Sequence, residues 1–116
     1  MLSKTTRISR QKDFDYIFKN GKSFQGKFMV VKIAPNINDI SRFAIIVSKK
    51  VSSKAVIRNF AKRRIKNIIN SFFPRFSSKA NIVVIVKTFS KDTPFSDLSY
   101  DLEEILIRAK ILKKNV

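Results

Sequence analysis

The carboxylates that could do chemistry in this chain are few, and only Asp97, Asp101, Glu103 and Glu104 cluster. On a helix Asp97, Asp101 and Glu104 stand at i, i+4 and i+7, which puts them on one face and would suit a hard cation such as Mg²⁺. An ordinary solvated face with acids gathered near a helix N-terminus has the same spacing, and that is the reading adopted. No histidine and no cysteine occur. The commonest general base, the usual zinc ligand, the serine-histidine relay and any thiolate metal site are thereby removed. Gly21 and Gly26, the only glycines, cannot form a phosphate-cradling G-x-x-x-x-G-K-[ST] loop or a G-x-G-x-x-G turn. We expect no catalytic residue and no metal ligand.

Binding chemistry is better represented. The chain has 25 Lys and Arg against 8 Asp and Glu, a formal charge of +17. Such self-repulsion fits a polyanionic partner, nucleic acid first and an anionic membrane surface second. Thirteen of the basic residues lie between Asp39 and Asp92 with no acid among them. In "SKKVSSKAVIRNFAKRRIKNIIN", Ser48 to Asn70, Ile57, Ala61, Ile65, Ile68 and Phe72 just beyond fall within an arc of about 80° on a helical wheel. Asn59, Lys62, Arg63, Lys66 and Asn70 lie opposite, with Arg58 at the edge and Lys49, Lys50 and Lys54 just before. This row tracks a phosphate backbone and lacks acids at i±4 to pair with. Phe14 and Phe18, at i and i+4, could stack on unpaired bases or simply fill the core.

The elements around these residues are legible. A helix is expected over Arg10 to Lys19, capped by Ser9, with Phe14, Ile17 and Phe18 on one face and a left-handed residue at Asn20-Gly21 to end it. Strands are expected at Phe28 to Ile33 and Arg42 to Ser48, with a short one around Ser23 to Gln25 and a turn over Ala34 to Asp39. The basic helix should start near Ser53 and run to about Phe72, closed by Pro74. Asn81 to Lys87, an unbroken aliphatic run, reads as a strand buried on both faces. A last helix from Ser96 to Lys110 turns Leu98, Leu102, Ile105 and Ala109 inward. With 116 residues this makes one α+β domain spanning 1–116, with a single sheet covered by helices. No segment has the ~20 apolar residues of a membrane span, and the N-terminus lacks a signal-like apolar core. The chain reads as a soluble, cytoplasmic protein.

Three segments in order resemble the protein subunit of bacterial ribonuclease P: "DFDYIFKNGK" (Asp13 to Lys22), "RFAIIVSKK" (Arg42 to Lys50) and "AVIRNFAKRRIK" (Ala55 to Lys66), the last similar to the family's arginine-asparagine-arginine helix. "SDLSYDLEEILIRAKIL" is similar to its closing helix in pattern. The resemblance implies three helices on a four-stranded mixed sheet, ordered α-β-β-(β)-α-β-α, with a left-handed β-α-β crossover. It implies an accessory subunit of a ribonucleoprotein endonuclease that removes the 5′ leader of precursor tRNA. Catalysis would belong to a separate RNA, with Mg²⁺ held mainly by that RNA and the substrate. Carried over by residue, Lys54, Arg58, Asn59, Lys62, Arg63 and Lys66 would meet the catalytic RNA. Phe14, Phe18, Lys49 and Lys50 would hold the single-stranded leader. Phe60 stands where the signature's second arginine is usual, with its ring placed to extend the core. Ser52-Ser53-Lys54 replaces a turn that often carries glycine, and Val31 falls where some members place an aromatic in the leader cleft. The alternatives are a basic RNA-binding protein of another assembly, such as a ribosomal component, and a self-sufficient nuclease using Asp97, Asp101 and Glu104.

Overall fold

A computed structural model describes residues 8, 10–35, 41–72, 76 and 80–112. The expected turn after Pro35, Ser9 and Pro74 lie outside these residues. Among the described residues seven elements follow one another: α1 (Gln11–Asn20), β1 (Lys22–Gln25), β2 (Met29–Pro35), β3 (Arg42–Ile46), α2 (Ala55–Phe72), β4 (Ala80–Val86) and α3 (Phe95–Arg108). Their order is the one read from the sequence, with the short β1 present and Ala34 and Pro35 in β2 rather than in a turn.

The sheet runs β1-β2-β4-β3. β1 and β2 are antiparallel, as are β2 and β4, whereas β3 and β4 are parallel, with Phe43 opposite Ile82 and Ile45 opposite Val84. Parallel neighbours need a long crossover, and α2 is that crossover. β4, the last strand made, sits between β2 and β3. Its unbroken Ile and Val run is explained by cover on both faces: Ile82, Val84 and Val86 enter the larger core with α2 and α3, while Val83 faces Ile8, Ile17 and Ala34 beneath α1.

On α2 the apolar arc is buried as expected at Ala61, Ile65, Ile68 and Phe72, with Ile69 added and Ile57 half-buried at the margin. Leu98, Leu102, Ile105 and Leu106 of α3 complete this layer. Ala109 lies just past α3, which closes on a left-handed Lys110 with φ 62°. That residue lets the Ile111 and Leu112 N–H groups both reach the Leu106 carbonyl, satisfying an acceptor that the helix leaves open.

Gly21 departs from expectation. It is extended, with φ −78° and ψ 157°, so its glycine is not required by a left-handed backbone. A Cβ there would lie 2.5 Å from the Ile17 carbonyl oxygen and 3.1 Å from that of Ile33, so glycine lets α1 pass close over β2. Asn20 contributes to the helix end by donating from Nδ2 to the Tyr16 carbonyl at 3.1 Å. Arg10, the residue before α1, makes no side-chain cap.

The acidic face of α3 is not simply solvated. Asp101 accepts the Lys27 N–H on Oδ1 and the Phe28 N–H on Oδ2, each at 2.9 Å, pinning the loop between β1 and β2 onto α3. Gly26 is the matching concession, because a Cβ there would come within 2.5 Å of Ile105 Cδ1 and 2.7 Å of Asp101 Oδ2. Asp101→Ala should destabilise the fold by about 2 to 3 kcal/mol, as expected for loss of hydrogen bonds to a charged acceptor. Gly21→Ala should cost about 1 to 3 kcal/mol, since backbone carbonyls yield little. Urea unfolding of the two variants measures both, and wild-type stability in either would show that the contact relaxes freely.

Candidate nucleic-acid interface

β3 is an edge strand, and a cleft of about 530 Å³ opens along it between α1 and α2. Ala44, Ile45 and Ile46 form an apolar floor. Phe14 of α1 stands at one side, and Asn59, Lys62, Arg63 and Lys66 of α2 line the other. The arrangement follows from the 3.6-residue period: burying Ala61 and Ile65 fixes the roll of α2, which turns Asn59, Lys62, Arg63 and Lys66 outward and toward β3. Asn59, Lys62, Arg63 and Lys66 are exposed, and no acidic residue occurs anywhere in α2. The cleft therefore presents cations over an apolar strand, with an aromatic ring opposite.

The pieces are held in register by long-range contacts. Arg42 at the start of β3 donates to Asp13 of α1 at 2.9 Å, with both side chains largely buried, 16% and 25% exposed. The Ile8 N–H bonds to the Phe43 carbonyl at 2.7 Å, tying the segment before α1 to the outer edge of β3. Phe43 thus turns its carbonyl away from β4, and by the two-residue period Ile45 turns its peptide groups the same way, toward the cleft.

Not every residue expected at the site lines the cleft. Phe18 lies beside it, 41% exposed, its ring 6.3 Å from that of Phe14 and inclined by 24°. Lys32 of β2 places its ammonium 5.8 Å from the Phe18 centroid; as a single lysine inside an apolar strand it gave no signal in the sequence. Lys49, Lys50 and Lys54 are exposed before α2. Arg58 is half-buried and donates to the Ser52 carbonyl at 2.9 Å, so part of its fork braces the turn that launches α2. In that turn Ser52 Oγ accepts the Lys54 N–H at 3.2 Å, and none of residues 52–54 needs a left-handed backbone. Ser52-Ser53-Lys54 does without glycine for that reason.

Val31 is a correction. It is fully buried in the larger core, on the sheet face opposite Phe14, and does not reach the cleft. On β2 the α1 side is taken by Lys32 and Ala34, one residue out of step with Val31. Phe60 does extend the core, packing against it and meeting Phe89 edge to face with centroids 5.8 Å apart.

Among the described residues no group of three or more His, Cys, Asp or Glu is placed to hold a metal ion. Asp97, Asp101 and Glu104 share a second depression of about 510 Å³ with Lys27 and Arg108. Asp101 has both oxygens engaged by backbone N–H groups there, which gives this carboxylate a structural task in holding the β1–β2 loop. No described helix is long and apolar enough to cross a membrane.

A four-stranded sheet covered by three helices, with a cationic crossover helix beside its open edge, defines a basic α+β domain built to meet a polyanion. The sequence profile of the Ribonuclease P family matches residues 2–110. Two relatives named ribonuclease P protein component are similar to this chain: one from Pseudanabaena sp. (strain PCC 6903), 34% identical, covers 99% of this chain and all of its own length. The other, from Clostridioides difficile (strain 630), is 36% identical and covers 94% of this chain and 96% of its own. The RNase P protein of Staphylococcus aureus superposes with a TM-score of 0.83 at 32% identity, covering 93% of this chain and 98% of that one. That of Thermotoga maritima gives 0.78 at 32%, covering 88% and 96%. The chain belongs to the ribonuclease P protein family. It is an accessory subunit of that ribonucleoprotein endonuclease, which matures the 5′ end of tRNA with catalysis carried by RNA.

The Asp13–Arg42 pair fastens one wall of the cleft to its floor. Asp13→Asn should lower stability by about 1 kcal/mol, as for a modest charged hydrogen bond. The loss should shrink for Asp13→Asn combined with Arg42→Met. A double-mutant cycle of urea unfolding measures the coupling, and strict additivity would show that the pair contributes nothing.

Proposed function

We propose that the cleft along β3 holds the single-stranded 5′ leader of precursor tRNA while the cationic surface of α2 docks on the catalytic RNA. The observation that carries this reading is the placement of Phe14 and the row Asn59, Lys62, Arg63 and Lys66 on opposite sides of one apolar cleft. A single strand offers bases that stack on rings and phosphates that meet cations, and the cleft supplies both in one groove. Phe14 takes a leader base, Phe18 beside it takes or buttresses the next, and Lys49 and Lys50 receive leader phosphates. Lys54, Arg58, Asn59, Lys62, Arg63 and Lys66 meet the catalytic RNA. The four that face the cleft stand at the seam between the two RNAs.

In this reading the protein supplies binding and orientation, not proton transfer. Leader contacts raise the affinity of precursor over mature tRNA, so the substrate is bound in preference to the product. Mg²⁺ belongs with the catalytic RNA and the substrate phosphates, and the complex works in the cytoplasm.

The reading is tested by cleavage of precursor tRNA at low Mg²⁺ with protein alone, with a bacterial ribonuclease P RNA alone and with both. Leader release only, or much faster, in the combined reaction is expected. Cleavage by protein alone would overturn the accessory role, and no gain from combining them would leave a general RNA-binding protein. Phe14→Ala should weaken precursor binding by ~1 to 3 kcal/mol if its ring stacks on a base. Mature tRNA binding should hold steady, and an equal loss for both would return Phe14 to the core. Lys62→Ala should flatten the salt dependence of RNA binding by roughly one counterion per lost phosphate contact; an unchanged slope would mean that Lys62 faces only water.

A further inference from the structure

The flank of α2 turned away from the cleft carries a group with no part in the leader site. Arg64 sends its guanidinium back over the ring of Phe60, one turn earlier, at 4.6 Å from the centroid. Helical side chains lean in that direction. Phe60 is itself fixed, half-buried and braced by the buried Phe89. Phe95, the first residue of α3, lies 5.6 Å from the same guanidinium and is 42% exposed. Arg63 approaches the Phe60 ring at 5.9 Å. Two guanidinium groups therefore converge on one ring, and among the described residues neither forms a salt bridge or a side-chain hydrogen bond.

Like charges this close repel each other. The negative faces of aromatic rings offset part of that cost, yet leave the N–H donors unused. A guanidinium held close to two aromatic rings has little further freedom to lose, so its donors are prepared for a bidentate anion such as phosphate. Arg64 lies about 160° around α2 from both Lys62 and Lys66 at 100° per residue. A strand lying in the cleft has the body of α2 between it and Arg64, whereas a folded RNA closing over the helix can span both flanks.

We propose that Arg64, held between Phe60 and Phe95 on the α3 side of α2, is a second phosphate-binding site that grips the catalytic RNA outside the leader cleft, with Arg63, which shares the Phe60 ring, joining it across the helix to the row that lines the cleft. The proposal rests on the reading of this chain as a subunit that docks on a catalytic RNA. Its ligand is a phosphate of structured RNA, held by planar donors and not by base edges, so it adds affinity without sequence preference.

The test measures binding of the full chain to a bacterial ribonuclease P RNA, without substrate, from about 50 to about 200 mM salt. Arg64→Met keeps an apolar stem over Phe60 and deletes the charge, while Arg64→Lys keeps the charge and loses the planar fork. For Met, the advantage of the wild type should shrink about threefold across that range, the equivalent of one counterion. Lys should keep the wild-type slope with weaker binding. Phe95→Leu should also weaken binding at an unchanged slope, and wild-type binding by that variant would remove Phe95 from the site. The preference of the holoenzyme for precursor over mature tRNA should be the same in all of them. Wild-type binding by Arg64→Met, or weaker binding at an unchanged slope, would overturn the phosphate contact and leave Arg64 a packing residue. A changed preference for precursor tRNA would place Arg64 on the leader instead. Failure of the wild-type chain to bind the RNA would overturn the parent reading rather than this one.

Discussion

The structure depends on β4 being buried on both faces between two strands of opposite sense. Its antiparallel pairing with β2 and parallel pairing with β3 make one sheet of four strands, and its side chains supply both cores. Parallel pairing with β3 obliges the chain to cross over, and the crossover is the helix that bears the cations. That cationic surface is therefore not an appendage to the fold. Any shift of β4 would move α2, the floor of the cleft and the seat of α1 together.

The same constraint resolves the apparent conflict in α2, which is half apolar and half cationic. Burial of Ala61, Ile65, Ile68, Ile69 and Phe72 fixes its roll with no help from ion pairs within the helix. Among its charges Arg58 braces the preceding turn and Arg64 packs against Phe60 and Phe95, while Lys62 and Lys66 stand exposed. Exposed lysines and arginines on a rigid support bind a polyanion with less ordering cost than the same residues on a mobile tail. Phe60 carries this further, since it both joins the core and holds guanidinium groups at its faces.

Periodicity made much of this readable in advance. The faces of α2 and α3 follow the helical repeat, and β4 announced its double burial by having no polar alternation. What escaped the sequence were contacts between distant segments. Asp101 meets backbone groups more than seventy residues earlier in the chain, and no local pattern distinguishes such a carboxylate from a solvated one. Gly21 sat where a helix-ending glycine belongs, but its smallness answers to the carbonyls of Ile17 and Ile33. Val31 was matched by resemblance to a cleft position, yet it is buried in the larger core, and "FMVVKI", apolar almost throughout, offers no alternation that would have revealed its parity. Phe14 and the cations of α2 were each identifiable, whereas their convergence on one cleft depends on how α1 and α2 are set around β3.

The open side of β3 has a consequence for the protein in the absence of RNA. Unpaired peptide groups on an edge strand invite a strand from another copy, which is how soluble sheet proteins begin to aggregate. Here Ile8 occupies part of that edge, and Lys62, Arg63 and Lys66 stand along the rest. A second copy approaching edge to edge would bring an identical row of positive charges, whereas a nucleic acid brings the opposite sign. The row that lines the cleft thus also raises a charge barrier against edge-to-edge pairing of two copies.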